Sequence, residues 1–169
     1  QVHYNNDSGR VIRGKVCGWV GNIRYEKSVT VNPGNGVFSF LPDDHDQLRN
    51  QRLRLWWPNG YGEPYLYDAG FCFVEENGDT LASIAFKQGI RQMSYKDKST
   101  RLTVYVNGRR VVPLGGNWGF SEHNLNFRGR EYDVAARYHR DMNFNMIRNW
   151  VGQIGDDEFY QACDKYGIM

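Results

Sequence analysis

Between Val2 and about Leu114, apolar residues recur in short runs at a spacing of two. In VIRGKVCGWV, Ile12, Val16 and Val20 alternate with Arg13, Lys15 and Cys17, which predicts a half-buried strand over Val11–Val20 because successive strand side chains point to opposite faces. RYEKSVTV (Arg24–Val31) and VFSFL (Val37–Leu41) predict two more strands, parted by the turn residues NPGNG. YLYDAGFCFV places Tyr67, Ala69, Phe71 and Phe73 on one face, and ENGD turns the chain back into TLASIAF as a hairpin. A last hairpin, RLTVYV and RRVVPL, flanks Asn107 and Gly108, both tolerant of positive φ. No helix is predicted in this stretch. Short strands with frequent turns point to an antiparallel, immunoglobulin-like β-sandwich of roughly 100 residues, although the Cys-Trp-Cys signature of antibody domains is missing.

After Leu114 the period changes. GGNWGF reads as a strand end, and EYDVAARYHRDM carries Tyr132, Ala135, Ala136, His139 and Met142 at helical spacing. NMIRNW is again a strand. Asp156 or Asp157 then caps a helix with Phe159, Ala162, Cys163 and Tyr166 on one face and Gly167 as its stop, followed by the first two residues of another strand. Alternating strands and helices imply parallel strands with crossover helices, as in a doubly wound sheet or a (β/α)8 barrel.

Composition narrows the function classes. Aromatic residues make up 15% of the 169 and charged residues 24%, which excludes a disordered or collagen-like chain. The formal charge of +2, spread without a basic block, gives no electrostatic reason to expect nucleic acid. No apolar run approaches the roughly 20 residues needed to span a bilayer, so no membrane partner is expected. A chain that opens on Gln1, without a signal-peptide core, reads as an internal piece. Cys17, Cys72 and Cys163 are odd in number and far apart, so buried free thiols are expected rather than a zinc site or a disulfide framework. No metal or other cofactor is expected.

Candidate chemistry lies at the ends of the later strands. Arg148 and Trp150 close NMIRNW, and Asn117 and Trp118 close GGNW; in a βα barrel the C-terminal strand ends carry the active site. A Trp face suits the C–H face of a pyranose, while Asn and Arg suit hydroxyls and carboxylates. The adjacent acids Asp43-Asp44, Glu75-Glu76 and Asp156-Asp157-Glu158 read as solvated turns or a helix start, where negative charge suits the macrodipole. His139 falls on an apolar helix face, and His3, His45 and His123 have no triad partner at a recognisable spacing. Phosphate-loop patterns are absent.

Taken in order, LRLWWPNGYGEPYLYD, KQGIRQM, VNGRRVVPLGGNW, DMNFNMIRNW and DDEFYQACDKYGIM resemble the motifs of glycoside hydrolase family 2, with a weaker fit before Leu53. GGNW with DMNFNMIRNW and EFYQACDKYGI is most similar to the β-mannosidase and endo-β-mannosidase branch. Exo-β-glucosaminidases are the next branch, and the β-galactosidase and β-glucuronidase branches fit less well. The resemblance implies an immunoglobulin-like sandwich over 1–100, a connecting hairpin over 101–114, and the first βα units of a truncated (β/α)8 barrel over 115–169.

It also implies retaining hydrolysis of a β-glycoside, most often a β-mannoside, by two Glu residues about 5–5.5 Å apart. Neither Glu has a counterpart here, so no catalytic residue is assigned and the 169 residues alone are expected to be inactive. Arg148 matches the position that supports the nucleophile, and Asn117, Trp118 and Trp150 match positions near the sugar. The sequence RNWVGQ departs from R-x-W-G-G-G by placing Val151 and Gln153 where glycines are common, which would alter the loop above the pocket. The alternative expectation is a noncatalytic immunoglobulin-like module that binds carbohydrate or acts as a spacer. With most barrel strands outside these residues, the part beyond Leu114 is expected to dock on the sandwich, on a neighbouring molecule or across a dimer.

Overall fold

The computed structural model describes residues 1–98, 101–118, 130–149 and 156–169. They are mainly β, consistent with a sandwich, and fall into two compact units, 1–52 with 67–88 and 53–66 with 89–169.

The first unit holds β1 (Val2–Asn6), β2 (Ile12–Val20), β3 (Ile23–Val31), β4 (Gly34–Phe38), β5 (Leu66–Glu75) and β6 (Thr80–Gly89). β1 and β4 form an antiparallel pair, and β3-β2-β5-β6 a four-stranded sheet. The alternation in β2 works as its sequence requires: Val16 is buried while Lys15 is exposed. Val16, Val29 and Val31 join Ile12, Phe71 and Phe73 of the larger sheet with Val2, Tyr4 and Phe38 of the smaller one, so a single apolar layer lies between the two sheets. Each buried Val contributes on the order of 1.5 kcal/mol or more. The β5–β6 hairpin turns at Asn77 and Gly78, where Asn77 Oδ1 accepts from the Asp79 amide at 2.9 Å.

One strand is displaced from the sequence reading. β4 covers Gly34–Phe38 rather than Val37–Leu41, because β1 supplies a partner for the expected turn residues, with Asn5 opposite Asn35 and His3 opposite Val37. Cys17 and Cys72 are half-buried, and only Cys163 is fully buried.

The second unit combines the segment 53–66 with an antiparallel sheet of β7 (Met93–Lys98), β8 (Arg101–Val106) and β9 (Arg109–Val111), and with a βαβα run. β10 (Gly115–Trp118) and β11 (Met146–Asn149) pair in parallel, joined through α1 (Arg130–Asp141) and followed by α2 (Asp157–Tyr166). A parallel pair needs such a crossover. Gly115 is required at the start of β10, since a Cβ there would collide with the Met146 carbonyl oxygen. Tyr132 and Ala136 of α1 pack with Phe159, Ala162, Cys163 and Tyr166 of α2 and with Ile168, while Ile147 and Trp118 pack against this core from the strands.

Gly167 ends α2 with φ 74°, in the left-handed region favoured by glycine. Beyond it the chain runs along β11: Met169 donates from its amide to the Asn145 carbonyl and accepts from the Ile147 amide, both at 2.8 Å. Met142, expected on the buried face of α1, is exposed because the helix stops at Asp141 and Asn143 takes φ 64°. Among the described residues no helix is long and apolar enough to cross a membrane.

Candidate functional site

Parallel pairing in register brings the strand ends together. Asn117 stands opposite Arg148 and Trp118 opposite Asn149. Because side chains alternate along a strand, Asn117 and Arg148 share a face, and both are exposed. Arg148 Nη1 donates to Asn117 Oδ1 at 3.1 Å. That bond takes one of the guanidinium's five N–H donors and aligns the planar group with the strand ends.

Trp118 lies on the other face. Its indole stacks on Phe159 with centroids 5.6 Å apart and meets His139 edge-on at 5.9 Å. His139 Nδ1 is 2.8 Å from the Ala135 carbonyl, which makes that nitrogen a donor and holds the ring against its own helix. The strands therefore bring Asn117 and Arg148 together and turn Trp118 into the layer between strand and helix. Trp150, like His123, Val151 and Gln153, lies outside the described residues.

The acid clusters take structural places. Glu75 is 3.7 Å from Arg10 in an ion pair. Asp156 precedes α2, and its Oδ2 accepts from the Tyr132 hydroxyl at 2.6 Å, tying the start of α2 to α1. Asp133 of α1 accepts from Lys165 at 2.6 Å and from the Tyr166 hydroxyl at 3.0 Å. The Lys165 hydrogen bond is the main cause that holds the Asp133 carboxyl below its ordinary range. Among the described residues no three His, Cys, Asp or Glu side chains are grouped to hold a metal.

The second unit also holds a clamp that sequence periodicity did not reveal. Trp56 is fully buried. Its Nε1 donates to the Asp164 carbonyl at 2.7 Å, its own carbonyl accepts from Asn107 Nδ2 at 2.9 Å, and its amide donates to the Ile90 carbonyl at 2.8 Å. Arg91 lies 4.2 Å over the indole and pairs with the Asp164 carboxylate at 3.3 Å. Burial pushes the Asp164 carboxyl up, and Arg91 pulls it back.

Asn59 Nδ2 donates to the Arg140 and Phe144 carbonyls, both at 2.9 Å, and its amide donates to the Gly167 carbonyl at 2.8 Å. Asn145, buried at the start of the strand that carries Arg148, donates to the Val112 carbonyl at 3.1 Å and accepts from the Leu114 amide at 2.9 Å. Polar side chains from distant segments thus fix β10 and β11 to the hairpin sheet and to residues 53–66. The available signal was the density of Trp, Pro, Asn and Gly in WWPNGYG, residue types suited to a buried, irregular turn.

The model of the family described as Glycosyl hydrolases family 2 matches residues 1–91. A mannosylglycoprotein endo-beta-mannosidase of Lilium longiflorum is 40% identical over 118 residues, covering 68% of this chain and 12% of that protein. An exo-beta-D-glucosaminidase of Streptomyces avermitilis is 33% identical over 168 residues, covering 97% of the chain and 18% of the relative. Among solved structures, an exo-chitosanase of Amycolatopsis orientalis in complex with PNP-beta-D-glucosamine superposes with a TM-score of 0.80 at 22% identity, covering 99% of this chain and 19% of the other. A beta-D-mannosidase from Dictyoglomus thermophilum gives 0.77 at 21% identity, with 99% and 21% covered. At such identities these two are likenesses of fold. The chain spans less than a fifth of the length of either curated relative.

Proposed function

The chain belongs to glycosyl hydrolases family 2, and from that premise we propose that its residues are part of a longer retaining hydrolase of β-linked glycans, β-mannosides first. In this reading 1–100 form the immunoglobulin-like sandwich, 101–114 the connecting hairpin, and 115–169 the opening βα units of a (β/α)8 barrel. The acid/base and nucleophile Glu residues lie on later barrel strands, so the 169 residues alone have no turnover.

The observation that carries the reading is the hydrogen bond between Arg148 and Asn117 at the aligned ends of two parallel strands. A cation at that position favours the ionised form of a neighbouring carboxylate, as a nucleophile requires. Asn117 fixes the guanidinium and offers its amide to a sugar hydroxyl. Trp118 enters as the ring that anchors the strand end on Phe159, and Trp150 as the aromatic face toward the sugar. Two carboxyl groups about 5–5.5 Å apart would then give a covalent glycosyl-enzyme and net retention.

A second substrate class, the β-glucosaminides, is favoured by one observation: the exo-beta-D-glucosaminidase relative matches nearly the whole chain, 97% of it. Steady-state kinetics of the full-length protein on aryl β-mannoside, β-glucosaminide and β-galactoside separate these. The reading expects kcat/KM highest for the β-mannoside. A preference for the β-glucosaminide transfers the assignment to that class, and no turnover of any of the three favours a noncatalytic module. The 169-residue chain, assayed in parallel, is expected to hydrolyse none of them.

A further inference from the structure

Cys17 of β2 and Cys72 of β5 occupy directly opposite positions in the antiparallel ladder, between the pairs Val16–Phe73 and Gly18–Phe71. Opposite residues project to the same face. Here it is the face away from buried Val16, the one that carries Lys15 on the same strand. Lys15 and Glu26, the latter directly across from Cys17 on β3, form an exposed ion pair of 2.8 Å there. The two thiols are free and half-buried, so a small reagent can reach them from that side.

Opposite residues of an antiparallel pair have Cα atoms about 4.5 or 5.5 Å apart, and a disulfide takes Cα separations of roughly 4.4–6.8 Å. The backbone is already at bonding distance. Burial raises the Cys17 thiol above its ordinary value, and a hydrogen bond with the Cys72 thiol adds to the rise while Lys15 opposes it. The register sets the two thiols side by side on that face.

We infer that Cys17 and Cys72 are a dithiol modification site that closes into a cross-strand disulfide on the outer face of the four-stranded sheet when a low-molecular-weight disulfide such as oxidised glutathione is present. One thiol loses its proton to solvent, and the thiolate attacks a glutathione sulfur, forming a mixed disulfide and releasing one glutathione thiolate. The second thiol, deprotonated in turn, attacks the protein-side sulfur of the mixed disulfide and releases the second glutathione. Two protein thiols become one disulfide, two electrons pass to glutathione disulfide, and the two protons end on the released glutathiones. A bond exposed on a sheet surface belongs to the readily reduced kind, so glutathione in excess reopens it.

The test equilibrates the folded 169-residue chain in glutathione buffers from fully reduced to fully oxidised, quenches with acid, alkylates under denaturing conditions and maps peptides by mass. The expected result is a species lighter by two hydrogens, with Cys17 linked to Cys72 and Cys163 alone alkylated, which reverts as reduced glutathione is raised. C163S should form the same bond. C17S and C72S should each stop at a glutathione adduct on the remaining surface thiol. Three alkylated cysteines at every buffer ratio would overturn the inference. So would a bond to Cys163, or wild-type protein that accumulates mixed disulfides without closing.

Discussion

The indole N–H of Trp56 donates to the carbonyl of Asp164, 108 positions later in the chain, across 2.7 Å. The same Asp164 holds Arg91 by its carboxylate, and the Arg91 guanidinium lies over the same indole. Three of the five motifs that carry the family resemblance, through WWPNGYG, QGIR and DKYG, therefore meet at one buried ring. Their spacing in sequence records the construction of the second unit.

Replacing Trp56 should be costly. Trp56→Ala removes a fully buried ring and its hydrogen bond, which costs about 3–5 kcal/mol. Trp56→Phe keeps most of the volume and loses the N–H donor, a cost of about 1 kcal/mol. Urea unfolding followed by circular dichroism gives both values. An Ala variant as stable as the wild type would remove Trp56 from its place at the centre of the clamp.

Asn145→Ala removes a buried side chain and leaves the Leu114 amide and the Val112 carbonyl without their side-chain partner. The expected loss is about 1–2 kcal/mol, for two part-buried hydrogen bonds that water replaces only in part. The same denaturation assay measures it, and hydrogen exchange at Leu114 should accelerate in the variant. Unchanged protection there would contradict the role given to Asn145.

Cys163 links burial to pH. Its thiol is pushed up to about 12 by burial, against about 8.5 for an unfolded cysteine. Below the unfolded value both states hold the proton and the group contributes nothing to the pH dependence. Above it only the unfolded chain loses its proton, so stability falls as pH rises from about 8.5 toward 12. Cys163→Ala should flatten the alkaline limb of a stability profile relative to wild type. Native protein at pH 8 should also leave Cys163 unalkylated by iodoacetamide until denatured. A wild-type slope retained by the Ala variant would refute the assignment.

Much of this was legible in the sequence where periodicity carried it. β2 and β3 follow the alternation of their residues, the β5–β6 hairpin turns within the expected ENGD, and all four expected residues of α2 are buried ahead of a left-handed Gly167. The pairing of Asn117 with Arg148 follows once the strands are parallel. Local pattern failed where a distant segment decides the outcome. The turn residues Gly34–Gly36 became strand because β1 lies beside them, and Trp56 is buried by residues 91, 107 and 164. Trp118 reads like a sugar platform, yet alternation sends its ring toward Phe159. Cys17 and Cys72, remote in sequence, become neighbours only through the register of β2 on β5.

The most direct test of the account is the anomer first formed from an aryl β-mannoside by the full-length protein, observed by proton NMR, alongside Arg148→Ala and Arg148→Lys. The account predicts initial β-mannose, with kcat reduced about 10²-fold or more by Arg148→Ala and partly restored by Arg148→Lys. It also predicts that the limb of the pH profile reporting the nucleophile moves upward in the Ala variant, because a neighbouring cation has been removed. Initial α-mannose, or an Arg148→Ala enzyme with wild-type kcat and an unmoved profile, would contradict it.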